Sequence, residues 1–337
     1  MSSSDKIKNF ILDNLSNHQK DIIQTAISRF GVSRQAVHKH MNSLIDDSKV
    51  LAHGTTKGRY YELVPTVNFS KSFVIDQSSS DLELVKKHII PHFKPLPKNI
   101  YEIFEFSAFV LISNVIEHSS ATKIFCKIYI NHDNAHFVVS DNGVGIFGKI
   151  ARKLKLTDLQ LATLELAKGR LTNDPEDLAG AELNAVVRSF DTVKIESSKI
   201  SLSYQSNDQK WKIKDSVQKY GSRIHLIINP FSNKTCSETL FQVFNNENKY
   251  MRIPLNLLQA SKIKVMNSRN YVSNALRNVE GYEKIEFDFQ NINLIGPTFA
   301  NALISNTLKN NQYAEINWIN SNETIDLLMA RAINRKP

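Results

Sequence analysis

The sequence predicts a multidomain α/β protein, in which a small helical module precedes two successive α/β units. Three observations carry this expectation. Residues 1–64 hold three runs of helical hydrophobic spacing and then a basic hairpin pattern. Residues 66–235 alternate helix-like and strand-like runs, as an α/β sandwich does. From residue 240 to residue 337 that rhythm starts again. At 337 residues, 42% of them hydrophobic, the chain is long enough for two or three cores.

In the first module, Asp5 precedes an amphipathic run with Ile7, Phe10, Ile11 and Leu15 at helical spacing. A second run, Ile22 to Phe30, stops at Gly31, a residue suited to the left-handed turn that ends helices. Ser33 is placed to cap a third helix whose inward positions are Val37, Met41, Leu44 and Ile45. Val50-Leu51-Ala52, a polar turn and Arg59 to Leu63 then predict a two-stranded wing, with Val64-Pro65 opening a linker. Two helices, a short glycine turn and a basic hairpin fit a winged helix-turn-helix over residues 1–64. Arg34, Gln35, His38, Lys39, His40, Asn42 and Ser43 lie on or beside the third helix, mostly off its apolar stripe. Such side chains reach base edges and phosphates, and Lys57 and Arg59 on the wing can hold phosphates. The segment Phe30-Gly-Val-Ser-Arg-Gln-Ala-Val-His-Lys-His-Met41 resembles the turn and recognition helix of bacterial winged-helix regulators. DNA is therefore the expected partner; a three-helix bundle for protein contact stays open.

In the second unit, a helix is expected from Asn99 to His118, with strands at Lys123–Ile130, His136–Ser140, Thr192–Ser197, Ile200–Ser206, Lys210–Asp215 and Arg223–Ile228. The stretch from Gly145 to Ala181 reads as polar and helical. Asn114 sits among apolar residues of the long helix, where its amide needs a partner. A Mg²⁺ ion holding nucleotide phosphates is one such partner, since a side-chain carbonyl is a hard oxygen ligand. Downstream, a strand runs into Asp141-Asn142-Gly143-Val144-Gly145. The Asp141 carboxylate can accept a hydrogen bond from the exocyclic amine of adenine. Gly143 and Gly145 let the backbone approach a ligand where a Cβ would obstruct it.

Together and in this order, these residues resemble the N box and G1 box of GHKL ATP-binding domains, the family of histidine kinases and anti-sigma-factor kinases. Gly221-Ser222 is similar to the Gly-Thr before that family's last strand, whose hydroxyl helps bind adenine. The resemblance implies a pocket for ATP or ADP with Mg²⁺, formed by Asn114, Asp141, Gly143, Gly145, Lys168, Thr172, Gly180 and Ser222. Two departures change the expected activity. Val110 occupies the position of the family's catalytic Glu and cannot polarise a water. Glu182 stands where the lid's second glycine is expected, putting negative charge near the phosphates, against which Lys168, Arg170 and Thr172 can compensate. Glu117, one turn after Asn114, reads as a solvated charge. His118 reads as a helix-dipole partner.

In the third unit, strand-like Tyr250–Leu255 and Lys284–Phe289 flank a helical Asn270–Val279. A helix at Thr298–Leu308, a strand at Ala314–Trp318 and a helix at Glu323–Ile333 follow. The run Lys284 to Gly296-Pro297-Thr298 resembles STAS-type domains of anti-sigma-factor antagonists, over residues 240–337, and implies a protein partner. Those antagonists place a phosphorylatable Ser at this helix start. Here Thr298 has the only nearby hydroxyl, and its expected role is a helix N-cap.

Composition adds bounds. A net charge of +9 favours an anionic partner without choosing its kind. Two cysteines, Cys126 and Cys236, exclude a disulfide framework and suit a reducing cytosol. The start Met1 to Asp5 lacks a signal-peptide pattern, and the apolar stretch Phe104–Ile116 is broken by Glu105, Ser107, Ser113 and Asn114. A cytoplasmic protein with no membrane contact is expected; a homodimer stays open. No His or Cys grouping has metal-ligand spacing. The leading functional expectation is a nucleotide-responsive, DNA-binding transcriptional regulator with weak or absent catalysis. The alternatives are an anti-sigma-type serine/threonine kinase and an adaptor that binds no nucleotide.

Overall fold

The computed structural model describes residues 3–55, 58–76, 78–169, 179–244, 249–258, 265–266 and 269–334, and within them the chain is mixed α/β. Helices α1 (Ser3–Asn14), α2 (Ile22–Phe30) and α3 (Arg34–Asp46) pack on one another and on a hairpin of β1 (Val50–His53) and β2 (Tyr60–Leu63). Gly31 ends α2 at φ 65, and the Ser33 hydroxyl caps α3 by accepting from Ala36 N at 3.2 Å. Val37, Met41 and Leu44 are buried together with Ile7, Ile11, Leu15, Ile22 and Tyr61. This core is separate from that of the rest of the molecule. The module touches the main body at a turn, where Asp133 accepts from Ser16 Oγ at 2.6 Å and His132 Nε2 lies 2.9 Å from Asp13.

A seven-stranded sheet dominates the centre. Its strands are β3 (Val67–Val74), β4 (Lys123–Ile130), β5 (Ala135–Asp141), β6 (Thr192–Ser197), β7 (Ile200–Gln205), β8 (Lys210–Asp215) and β9 (Ser222–Ile228). Their order is β3-β4-β5-β9-β6-β7-β8, antiparallel at every pairing. Strand β3 falls where the sequence suggested a linker. It is an edge strand with Lys71 interrupting its inward Val67, Phe69 and Phe73, which blunted its alternating pattern. Helices α4 (Asp81–Leu84), α5 (Lys98–His118), α6 (Ile146–Lys153), α7 (Leu159–Lys168), α8 (Ala179–Ser189) and α9 (Cys236–Phe244) complete this unit. By length and composition α5 could cross a membrane, yet half of its most apolar window is buried inside the protein. Phe104 of α5 meets Phe93 at 4.9 Å and Phe190 edge-to-face at 5.1 Å, contacts worth about 1 kcal/mol each beyond burial.

The C-terminal part is a parallel sheet, β10-β12-β14, of β10 (Tyr250–Pro254), β12 (Lys284–Asp288) and β14 (Glu315–Ile319). A short pair, β11 (Val265–Met266) with β13 (Leu294–Ile295), lies in the same region of the chain. Helices α10 (Arg269–Ala275), α11 (Pro297–Asn310) and α12 (Glu323–Asn334) supply the rest. Parallel strands require crossovers, which explains the strict helix–strand alternation read from the sequence. The central and C-terminal parts share one continuous core. Helix α7 packs on β10 and on the turn Leu255–Leu258, where Gln160 Nε2 donates to Leu257 O at 3.1 Å.

Candidate functional site

A cavity of about 330 Å³ opens where the C-terminal end of α5, helix α6 and helix α8 meet the ends of β5 and β9. That volume is at the low end for small-molecule sites. Its walls include Leu111, Val115, Ile146, Ile150, Leu183 and Ile224; its polar groups include Asn114, Asp141 and Ser222. Four residues singled out from sequence, Asn114, Asp141, Gly145 and Ser222, separated by up to 108 positions, therefore converge on one apolar pocket.

Asp141 is buried at the end of β5. Its Oδ1 accepts from Gly143 N at 2.7 Å and its Oδ2 from Ser222 N at 3.0 Å. Burial pushes its carboxyl above the usual range, and the two backbone donors pull against that. Each carboxylate oxygen carries two lone pairs, so acceptor capacity remains for a ligand donor. The Ser222 hydroxyl accepts from Ile146 N at 2.9 Å, which joins β9 to the first turn of α6 and leaves the O–H free to donate. Asn114 Nδ2 donates to Val110 O one helical turn back at 2.7 Å. Its side-chain oxygen is the atom a cation would need.

Gly145 lines the cavity, and the glycines of this region also pack closely against the protein itself. A Cβ at Gly143 would meet the Ser119 carbonyl, one at Gly145 the Ser197 hydroxyl, and one at Gly221 the Asp141 carbonyl. These residues admit backbone to backbone, so that the 141–146 turn docks on the end of α5 and the start of β9. The bonds Val144 N to Ser119 O and Gly221 N to Gly143 O, both 2.8 Å, complete that docking. Gly145, at φ 80 and ψ 140, also occupies backbone space that other residues avoid.

Other expected residues fall elsewhere. Lys168 does not line the pocket. Its ammonium is buried against Glu165 at 2.9 Å and Arg277 O at 2.8 Å, because α7 ends at the C-terminal unit and not over the cavity. Gly180 is buried in the first turn of α8 and does not line the cavity either. Thr172, Arg170 and Lys57 lie outside the described residues. Val110 is buried in α5, so its position offers no base. Glu182 is shifted towards protonation by burial and then by Glu117, which places these two carboxylates near each other beside the pocket. His118 lines the cavity, as do Lys149 and Lys153 of α6, which the sequence reading passed over. The two lysines are four apart after a glycine turn, and that spacing on one helix face was the available signal.

On the N-terminal module, Arg34, Gln35, Lys39 and Arg59 are exposed. The His38 pKa is lowered by partial burial and then by the charges of Arg34 and Arg59, so α3 and the hairpin present one basic surface around it. Arg59 also lies over the Tyr61 ring at 5.3 Å. His40 and Ser43 instead turn to α1, touching Ser4 at 3.4 Å and Lys8 at 2.7 Å.

In the C-terminal unit, Gly296 is the cap residue of α11 with Pro297 at its first position, so Thr298 does not cap. Thr298 is exposed in the second helical position. Nearby Asp288 is buried, accepting from Gln290 N at 3.0 Å, Asn320 Nδ2 at 2.9 Å and Arg252 Nη2 at 2.7 Å. That network ties the ends of the three parallel strands together and was not foreseen.

Residues 269–326 match the family model of a STAS-like domain of unknown function (DUF4325). The C-terminal unit is accordingly STAS-like over that span. No curated protein matches the chain.

Proposed function

We propose that this chain is a nucleotide-responsive, DNA-binding regulator whose central unit is a GHKL-type adenine-nucleotide pocket with little or no catalytic activity. The observation that carries the reading is the Asp141 carboxylate, buried at the pocket and fixed by Gly143 N and Ser222 N. A fixed carboxylate among apolar walls suits the amine edge of a flat heteroaromatic ring. Asn114 lines the cavity, and its side-chain oxygen would hold Mg²⁺, which when bound would neutralise phosphate charge. Lys149 and Lys153 line the same cavity and favour an anionic ligand there.

Sensing is favoured over turnover by the carboxylate inventory. Among the described residues lining the cavity, Asp141 is the only carboxylate, and its oxygens are already engaged by backbone N–H groups. Among the described lining residues, no second carboxylate is available to take a proton from water or from a substrate hydroxyl. The N-terminal module reads as a winged helix-turn-helix, with Arg34, Gln35, His38 and Lys39 on the recognition helix and Arg59 on the wing. Nucleotide would alter DNA affinity only by binding two arrangements of the chain with different strength.

Isothermal calorimetry with Mg-ATP, Mg-ADP and Mg-GTP tests the pocket. Adenine-selective binding is expected, and absence of heat with all three would overturn the reading. Gel-shift assays on promoter fragments at low salt, with and without ATP, test the DNA function. Rapid ATP turnover, or label appearing on Thr298, would instead favour a kinase.

A further inference from the structure

Helices cover one face of the seven-stranded sheet, and the opposite face carries an unusual charge pattern. Antiparallel pairing aligns directly opposed side chains on the same face. One such row runs Lys127, Val138, His225, Lys194, Ser203 and Lys212, in register from β4 to β8. The row on one side of it carries Phe125, Arg223, Glu196 and Lys214, and the row on the other side carries Tyr129 and Lys210. Six cations (Lys127, Lys194, Lys210, Lys212, Lys214 and Arg223) thus share these rows with one carboxylate, Glu196. Lys194 pairs with Glu196 at 2.9 Å and Lys210 with Asp208 at 2.7 Å, which leaves an excess of four positive charges, on Lys127, Lys212, Lys214 and Arg223.

The face is open. Lys127, Lys212 and Lys214 are exposed, and Phe125 shows 38% of its surface to solvent. From β4 to β8 there are five strand spacings, about 24 Å of basic surface. The Thr192 hydroxyl lies on these rows and can donate to a phosphate oxygen, whereas Ser140 and Ser201 are buried and Ser203 Oγ already donates to Lys212 O at 3.4 Å. A duplex is read by an element that enters its groove, and a broad sheet face offers none. A strand with unstacked bases can instead lie across the sheet, its phosphates on the cations and a base on an exposed aromatic ring.

We propose that this open sheet face binds a single-stranded nucleic acid, with phosphates held by Lys127, Lys212, Lys214 and Arg223 and a base stacked on Phe125. The site is distinct from the basic surface around His38 and does not depend on the nucleotide pocket.

The test uses the full chain carrying Arg34→Ala and Arg59→Ala, which suppresses binding through the N-terminal module. Fluorescence anisotropy would compare a labelled oligo(dT) of about 15 nucleotides with a duplex of equal length and with heparin. The oligonucleotide should bind more tightly than the duplex. Lys127→Glu/Lys212→Glu/Lys214→Glu should weaken it at least tenfold and flatten the slope of log K against log salt by about 2. Phe125→Ala should weaken it by about tenfold. The triple Lys→Gln variant, with a melting curve matching its parent, guards against misfolding. The proposal fails if oligonucleotide affinity ignores the lysine changes. It fails equally if duplex or heparin binds as tightly and Phe125→Ala changes nothing. Loss of duplex binding by the unmodified chain would sink the regulator reading and leave this one standing.

Discussion

Lys168 and Glu165, three residues apart on α7, form a 2.9 Å ion pair with both side chains sealed from solvent. The pair also grips the C-terminal unit, through Arg277 O at 2.8 Å from Lys168 and Asn278 Nδ2 at 3.4 Å from Glu165. Burial lowers the lysine pKa and raises the glutamate's, while each partner's charge opposes the shift. Removing one partner strands the other without compensation. Lys168→Met should cost about 3–5 kcal/mol in urea unfolding, and adding Glu165→Leu should recover most of it. Nucleotide affinity of the folded Lys168→Met variant should stay within a few-fold of the parent, since the ammonium is not at the pocket.

Asp141→Asn replaces one acceptor with an amide that faces a backbone N–H. Nucleotide affinity should drop tenfold to a hundredfold, in line with about 1.5–3 kcal/mol for a charged hydrogen bond. Discrimination between adenine and guanine should narrow with it. Calorimetry on the folded variant reads both effects.

Stability should decline in acid through His136. Burial, then the neighbouring His225 and Lys127, lowers its pKa from 6.5 to about 4. A depressed folded pKa gives stability that is complete above pH 6.5 and is lost as pH falls through about 4. Allowing for partial solvent contact, the loss attributable to this side chain is roughly 2 kcal/mol. His136→Gln should flatten the melting temperature between those two pH values, as followed by circular dichroism.

Arg34 and Arg59 approach His38 from α3 and the hairpin. If that surface meets a duplex, replacing either arginine by alanine should lower affinity for all sequences. Each change should also reduce the salt slope by about 1. Anisotropy across a salt series measures it, and an unchanged slope would place DNA elsewhere.

Much of the fold was legible because its strands carry strong local signals. Lys123–Ile130, Thr192–Ser197 and Lys210–Asp215 fall where alternation and turns put them. The C-terminal strands and helices were likewise readable from their alternation. Strand β3 was missed because Lys71 stands at an inward position of an edge strand, and α9 because nothing polar-periodic announced it. Asn114, Asp141 and Ser222 were found since each has few reasons to occupy its sequence context. Lys168 misled because a lysine before a glycine reads as mobile charge. Its burial depends on Arg277 and Asn278, 109 and 110 residues later, a relationship no local pattern encodes. Lys149 and Lys153 were hidden in a helix that sequence alone describes only as polar.

The shared core of the central and C-terminal parts bears on how the molecule comes apart. A cut near residue 240 would bare the faces of α7 and of the Leu255–Leu258 turn, which now seal each other. Heating should therefore melt the chain in two cooperative steps, the first 64 residues apart from everything after them. Calorimetry of the intact protein should show two heat-absorption peaks where a count of three sequence units would suggest three.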